Sequence, residues 1–250
     1  MMNEKILLVT GSSRGIGAAT AILAANKGYS ICLNYLNDEK SAFKVRDEIL
    51  NLGAKCIAVR ADVSNEHQVR KMFGDIDTQL GSITHLVNNV GILKQKMPLI
   101  DMDGERFQQV LLTNVMSHFY CSSEAIKRMS ISLGGSGGSI VNVSSGASKS
   151  GSPFEYIDYA ASKGAVDTFT TGLSKEVAAD GIRVNCVRPG GIYTDIHADG
   201  GEPSRVDRIA KHFPMQRGGT PEEVANAILW LLSDEASFVT GSFTDLCGGL

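Results

Sequence analysis

The chain has 250 residues, 43% of them hydrophobic, and 27 glycines, which suits one α/β domain with a full core or two small domains at most. Its net charge of −3 and pI near 6 argue against nucleic acid or an anionic membrane as a partner. The five cysteines, Cys32, Cys56, Cys121, Cys186 and Cys247, form no C-x-x-C pair, so they read as reduced thiols of a cytoplasmic protein, and the first, second and fourth read as small core residues.

The histidines show no metal-ligand spacing, the N-terminus does not read as a signal peptide, and no apolar run is long enough to span a bilayer. The first strand is expected over 5–10, as an unbroken apolar run of the kind buried on both faces of a parallel sheet. Gly11-Ser-Ser-Arg14-Gly15-Ile16-Gly17 follows, then a helix over 18–27. A glycine turn between a buried strand and a helix offers backbone N–H groups and a helix N-terminus to a pyrophosphate. Strands are then expected over 29–34, 55–60 and 84–88, with helices over 38–52 and 66–80. This alternation predicts a doubly wound, Rossmann-type parallel sheet of about seven strands in a single domain, with helices on both faces and ligands at the carboxyl ends of the strands. Asp62, Val63, Asn89 and Gly91 fall at those ends, where each could equally serve as a turn or strand-end residue.

Downstream, one long helix is expected over 103–133, carrying Asn114 among apolar neighbours. Gly134 to Gly138 reads as a helix-to-strand loop rather than a domain boundary. Strand five, over 139–143, runs into Ser144 and Ser145, and strict alternation turns only one of these toward a pocket. A helix reaches to about Asp180, strand six covers 182–187, and Arg188-Pro189-Gly190 follows. The stretch 193–219 reads as an irregular lid in which Tyr193, His197 and Arg205 are surface residues unless a polar substrate recruits them. Thr220-Pro221-Glu222-Glu223 is a helix start with a capping-box pattern, leading a helix to about Leu232. A last strand covers 242–246.

Tyr159 and Lys163 stand four apart in a helix-forming run, about 40° apart around the axis and roughly 6 Å along it. At about 5 Å and an effective dielectric near 20, an ammonium and a phenolate attract by about 3 kcal/mol, enough to lower a phenol pKa by roughly two units. Such a pair facing a ligand is a proton-transfer device, and facing solvent it is an ordinary contact. Four residues after Tyr156 comes Ala160, so Tyr156 lacks such a partner and is a candidate only for lining the pocket.

Thr10 to Gly17, Asp62-Val63, Asn88-Asn-Val-Gly91, Asn114, Ser145, Tyr159-Ala-Ala-Ser-Lys163 and Pro189 to Thr194 resemble, in order and over essentially the whole chain, the classical short-chain dehydrogenases/reductases. The nearest likeness is to bacterial glucose-dehydrogenase-like and 3-oxoacyl-carrier-protein-reductase-like oxidoreductases. Two features depart from the family pattern: Val90 stands where Ala is usual, and the interval from Ser145 to Tyr159 is one residue longer than the commonest. The latter leaves Ser144 as an alternative, with Ser145 preferred as the second serine of the strand-five pair.

The resemblance implies hydride transfer between NADP(H) and a carbonyl or secondary alcohol. Tyr159 would be the general acid/base, Lys163 would lower its pKa and hold the nicotinamide ribose, Ser145 would bind the substrate oxygen, and Asn114 would position a water beside Lys163. The cofactor site it implies comprises Gly11, Ser13, Arg14, Gly15, Ile16, Gly17, Asn34, Tyr35, Asp62, Val63, Asn89, Gly91, Tyr159, Lys163, Pro189, Gly190, Ile192 and Thr194. NADP is favoured over NAD because Tyr35, where an NAD enzyme would carry an acid, is neutral, Asp38 reads as a helix cap, and Arg14 can meet a phosphate. Leu36 stands where NADP enzymes often have a second base. A homotetramer is expected by the same resemblance. A non-catalytic dinucleotide sensor with the same fold is the competing reading, and a methyltransferase on a similar sheet a weaker one. Substrate choice would rest on 93–98, 146–156 and 196–213, which carry no readable code.

Overall fold

The computed structural model describes residues 4–250 and contains a seven-stranded sheet with the order β3-β2-β1-β4-β5-β6-β7, parallel throughout. The strands are β1 (Ile6–Val9), β2 (Ser30–Tyr35), β3 (Cys56–Arg60), β4 (His85–Asn88), β5 (Gly138–Val143), β6 (Ile182–Pro189) and β7 (Phe243–Leu246). Alternation along each strand divides the core in two. Leu7, Val9, Ile31, Leu33, Val87, Val141 and Val187 point to one face, and Ile6, Leu8, Cys32, Leu86, Ile140 and Val184 point to the other. Each face is covered by helices, so the central strands β1 and β4 are fully buried and β1 reads as an unbroken apolar run.

On the first face lie α1 (Gly15–Asn26), α2 (Glu39–Asn51) and, further along, the helix Pro221–Leu232, through Ala21, Ala24, Val45, Ile49, Val224 and Ile228. On the second lie α3 (Glu66–Gln79), through Val69, Met72, Phe73 and Ile76, and the long central helical segment, through Cys121, Ala125 and Met129. That segment is helical as expected. It divides into α4 (Gly104–Leu111), a π-helical turn (Leu112–Met116) and α5 (Ser117–Met129), and Ser130 leaves helical geometry with ψ 126°. The short helix α6 (Ala147–Ser150) leads to α7 (Ile157–Glu176). The stretch 193–219 is more ordered than its composition suggests, since it contains α8 (Ile196–Asp199) and α9 (Arg205–Ala210). The last helix, α10 (Pro221–Leu232), starts with the anticipated capping box, in which Thr220 and Glu223 bond each other's backbone N–H groups.

Among the described residues no helix is long and apolar enough to cross a membrane. Chain order reverses at β1. From β1 the chain moves outward through β2 and β3, then returns to β4 on the other side. The crevice beyond the carboxyl ends of β1 and β4 is where such sheets bind ligands.

Candidate active site

A cleft of about 1000 Å³ opens along that edge. Its floor starts at the turn after β1. Gly11 and Gly15 have φ of +61° and +57°, a left-handed conformation that costs glycine nothing and side-chain-bearing residues more. A Cβ on Gly17 would lie 2.5 Å from Gly11 O and 2.7 Å from Asn89 Nδ2. Gly17 therefore lets α1 pack against the loop, and unlike its neighbours it does not line the cleft. Because α1 begins at Gly15 rather than at Ala18, its first turn belongs to the glycine loop itself. That turn has no acidic residue, and the N-cap Arg14 makes no side-chain cap bond. Its unpaired N–H groups suit an anion.

Three side chains hold this turn in place. The Thr10 hydroxyl accepts the N–H groups of Asn89 (2.9 Å) and Val90 (3.1 Å), and Asn89 Nδ2 donates to the Thr10 and Gly11 carbonyls at 2.9 and 3.0 Å. Asn34 Oδ1 accepts from Gly11 N at 3.2 Å, while its Nδ2 donates to Ala61 O at 3.0 Å. Asn34 is buried, and both ends of its amide are used. Asn34 lines the cleft, and its side chain clamps the ends of β1, β2 and β3 together.

Tyr35 is buried as well, with its hydroxyl donating to Glu39 Oε1 at 3.0 Å, so at most its ring edge and backbone face a ligand. Asp38 accepts from Ser41 N at 3.0 Å as the N-cap of α2. Asp62 Oδ1 closes a tight turn through Ser64 N and Oγ, at 2.9 and 2.6 Å. That leaves Asp62 Oδ2 on the cleft lining, beside Val63. Ser13, Ile16, Asn89, Gly91, Pro189, Gly190, Ile192 and Thr194 all line the same cleft. Val90 packs its Cγ2 where a Gly11 Cβ would be, 2.9 Å away, so the extra methyls relative to alanine are absorbed by the absence of a side chain there.

Ser145, Tyr159 and Lys163 also converge on the cleft. The two serines part as alternation requires. Ser144 is buried and donates to Lys163 O at 3.1 Å, whereas the Ser145 hydroxyl accepts from Ala147 N at 3.1 Å and helps hold down the Tyr159 pKa. Lys163 Nζ donates to Val143 O at 2.7 Å and stands 5.6 Å from the Tyr159 ring centroid. A Cβ on Gly91 would come within 3.2 Å of that ammonium.

The electrostatics correct the simple picture of a lysine lowering a phenol pKa. Burial raises the Tyr159 pKa above its ordinary value, opposed by the Ser145 hydroxyl and by the positive charge of Arg205. Burial also pushes Lys163 down to about 8. The phenol sits in a low-dielectric wall, and the loss of solvation outweighs the nearby charges.

Asn114 does not reach the cleft lining. It is fully buried in the π-turn, its Oδ1 accepts from Ile92 N at 2.7 Å, and its Nδ2 donates to Ile92 O and Ser162 Oγ at 3.1 and 3.0 Å. A Cβ on Gly91 would lie 3.8 Å from Asn114 Oδ1 and 3.2 Å from Lys163 Nζ, so the amide sits near that ammonium. The amide ties the loop after β4 to α7.

The lid closes the opposite wall. Tyr156, the residue before α7, is 2% exposed and donates from its hydroxyl to Gly200 O at 3.2 Å. Arg14 pairs with Asp199 and stands 3.8 Å from Asp195, so the lid reaches across to the glycine loop. Tyr193 is on the surface, as expected, with its hydroxyl on Asp207. His197 and Arg205, expected on the surface, are instead turned inward and line the cleft. The sequence carries no signal for that, because their partners, Ile192 O and Glu155, are fixed only by the fold.

The residues present fit a dinucleotide, with an open helix N-terminus behind a glycine cradle at one end of the cleft and a buried lysine, a phenol and a hydroxyl at the other. The family model described as Enoyl-(Acyl carrier protein) reductase matches residues 11–250. The chain is similar to the uncharacterized oxidoreductase YgfF of Escherichia coli K12, at 59% identity over 98% of this chain and 99% of that protein. It is similar to the chloroplastic NADPH-dependent aldehyde reductase-like protein of Arabidopsis thaliana, at 38% identity over 98% of this chain and 93% of that one. A crystal structure of a short chain dehydrogenase from Burkholderia cenocepacia J2315 in complex with NADP superimposes with a TM-score of 0.90 at 29% identity, covering 98% of this chain and 97% of the other. Sheet order, cleft and relatives agree: the chain belongs to the short-chain dehydrogenase/reductase family of oxidoreductases.

Proposed function

We propose that the protein is an NADP(H)-dependent reductase or dehydrogenase that interconverts a carbonyl and a secondary alcohol. The observation that carries this reading is the convergence of Ser145, Tyr159 and Lys163 on one cleft with the glycine loop. The nicotinamide, when bound, supplies or accepts the hydride. Tyr159, held protonated by its buried setting, donates a proton to the substrate oxygen in reduction and removes one in oxidation. Ser145 donates a hydrogen bond to the same oxygen as negative charge develops there. Lys163, with a pKa near 8, is charged at neutral pH and holds the nicotinamide ribose. Asn114 positions the Ile92 loop against α7 and so fixes the surroundings of Lys163.

NADP is preferred to NAD in this reading. No acid faces the adenosine ribose from Tyr35, and Arg14 stands at the edge of the cleft. A relative named as NADPH-dependent and a neighbour crystallised with NADP point the same way. A 2′-phosphate has to draw Arg14 from its pairing with Asp199. We also expect a cytoplasmic homotetramer. Leu112 and Phe119, each 48% exposed on the central helical segment, offer apolar surface for subunit contact, and light scattering gives the mass.

The test is Tyr159→Phe, assayed on ketones, sugars and acyl thioesters with NADPH and NADH in parallel. Turnover should vanish while NADPH binding persists. Activity surviving in the variant would remove Tyr159 from its role, and a wild-type protein that binds NADPH yet is silent across the panel would favour a non-catalytic sensor.

A further inference from the structure

Five buried side-chain polar atoms have no hydrogen-bond partner among the described residues: Asn88 Oδ1, Arg106 Nη2, His118 Nε2, His197 Nδ1 and Arg205 Nη1. Only His197 and Arg205 line the cleft, both from the lid wall. A buried donor or acceptor left unpaired is costly, and one that faces a cleft is a candidate contact for whatever fills it.

The two atoms have opposite character. His197 is 9% exposed, and its Nε2 lies 3.0 Å from Ile192 O. A carbonyl only accepts, so Nε2 carries the hydrogen and Nδ1 presents a lone pair in the neutral ring. Burial holds the His197 pKa below its ordinary value, which keeps the ring neutral. Arg205 is held from two sides. Its Nη2 pairs with Glu155 Oε2 at 2.7 Å, and its guanidinium lies 5.1 Å from the Tyr156 ring centroid. Nη1 remains as a fixed donor, and the guanidinium is close enough to Tyr159 to help pull the phenol pKa down. The Arg205 side chain lines the same cleft as Ser145 and Tyr159.

The charges around it do not cancel. Glu155 also takes Arg208 at 2.8 Å, and Glu202 takes Arg208 at 2.6 Å and Lys96 at 3.1 Å. Three cations share two carboxylates, so the connected cluster carries one uncompensated positive charge, and Arg205, which carries its one unpartnered buried donor atom, lines the cleft.

We propose that Arg205 and His197 determine specificity for a monoanionic oxo acid, with Arg205 Nη1 donating to the substrate carboxylate and His197 Nδ1 accepting from a substrate hydroxyl. This inference rests on the carbonyl-reductase reading above and names its substrate class. A single carboxylate balances the cluster, and the guanidinium geometry matches a carboxylate oxygen. Neutral esters and thioesters of the same skeleton leave Nη1 unpaired and the cluster charged.

The experiment is binding to the NADPH-loaded protein, measured by calorimetry. It uses short oxo carboxylates with the keto group at successive positions, each with and without a hydroxyl and each against its methyl ester. The acid should bind more tightly than its ester by roughly 10- to 100-fold, the worth of a charge-assisted hydrogen bond. Arg205→Gln should erase that gap, Arg205→Lys should keep part of it, and His197→Phe should erase only the added preference for the hydroxylated acids. Equal binding of acid and ester by the wild type, a gap that survives Arg205→Gln, tighter binding of phosphonate analogues than of carboxylates, or no binding by any member of the series would each overturn the proposal. If Arg205→Gln fails to fold, the wild-type comparison of acid with ester decides alone. Tyr159→Phe keeps the two readings apart. Acid selectivity in binding that persists without turnover supports the recognition pair, while turnover that persists in Tyr159→Phe overturns the assigned chemistry alone.

Discussion

The floor of the cleft and its lid are built on different principles. The floor is made of strand ends whose partners are backbone groups: Thr10 on the amides after β4, Asn34 on Gly11 and Ala61, Lys163 on Val143 O. The lid is held mainly by side-chain charges, Glu155 and Glu202 against Lys96, Arg205 and Arg208, and Arg14 against Asp199. Backbone bonding in a buried sheet leaves little freedom for the floor to vary. Ion pairs at partly exposed side chains are individually weak, so substitutions among them should disturb the fold less than substitutions on the floor.

The largest expected effect falls on the floor. Tyr159→Phe should lower kcat by at least 10²–10⁴-fold, the usual range for a positioned acid or base, with melting temperature and NADPH affinity nearly unchanged. A small loss of rate would mean that proton transfer is not routed through this phenol.

Next comes Gly17→Ala. Its Cβ would meet the backbone oxygen of Gly11 at 2.5 Å, so overpacking should cost about 1–3 kcal/mol of stability and weaken NADPH binding in parallel. Calorimetric melting with and without NADPH separates the two effects. If stability is unchanged, the close packing of α1 on the loop is not what demands glycine.

Lys163 gives the floor a pH signature. Its folded pKa of about 8 lies below its ordinary value of 10.5, so between those values the unfolded chain holds more protons than the folded one and stability rises with pH. Below pH 8 the full cost of burying the charge is present. Lys163→Met removes it, so the stability gained by the variant over wild type should be largest near neutral pH and shrink as pH climbs from 8 to 10.5. A difference independent of pH would mean the ammonium is not desolvated in the folded chain.

The smallest effect belongs to the lid. Glu202→Gln removes the carboxylate shared by Lys96 and Arg208 and should change stability by about 1 kcal/mol or less, while raising KM more than it lowers kcat. A large fall in melting temperature would place the lid in the folding core and end the contrast with the floor.

The same contrast explains what could be read from the sequence. The strands were legible because burial on both faces writes itself as unbroken apolar runs, and α10 because Thr220, Pro221 and Glu223 encode its start locally. The residues around the glycine loop were legible as a group, but not how they divide. Asn34 also joins Gly11 to Ala61 through its side chain, and Asn114 also joins Ile92 to Ser162, pairings that only the fold brings about. The π-turn within the central helical segment escaped because it carries no composition signal. The order in 193–219 escaped because Arg205 and Glu155 lie far apart in sequence and Tyr156 reaches Gly200 across the same gap. Patterns that depend on neighbours in sequence show themselves, and pairings made by the fold do not.

The Asn34 clamp sets a boundary for redesign. A change of coenzyme preference is most directly sought at the end of β2, by placing an acid or a base where it can meet the adenosine ribose. Asn34 cannot take such a replacement without releasing the ends of β1 and β3 that it joins, and Tyr35 faces inward to Glu39. Leu36, 44% exposed at the rim of the cleft, is the first position that can be altered freely. A library directed at coenzyme choice would hold Asn34 and Tyr35 constant and begin its variation there.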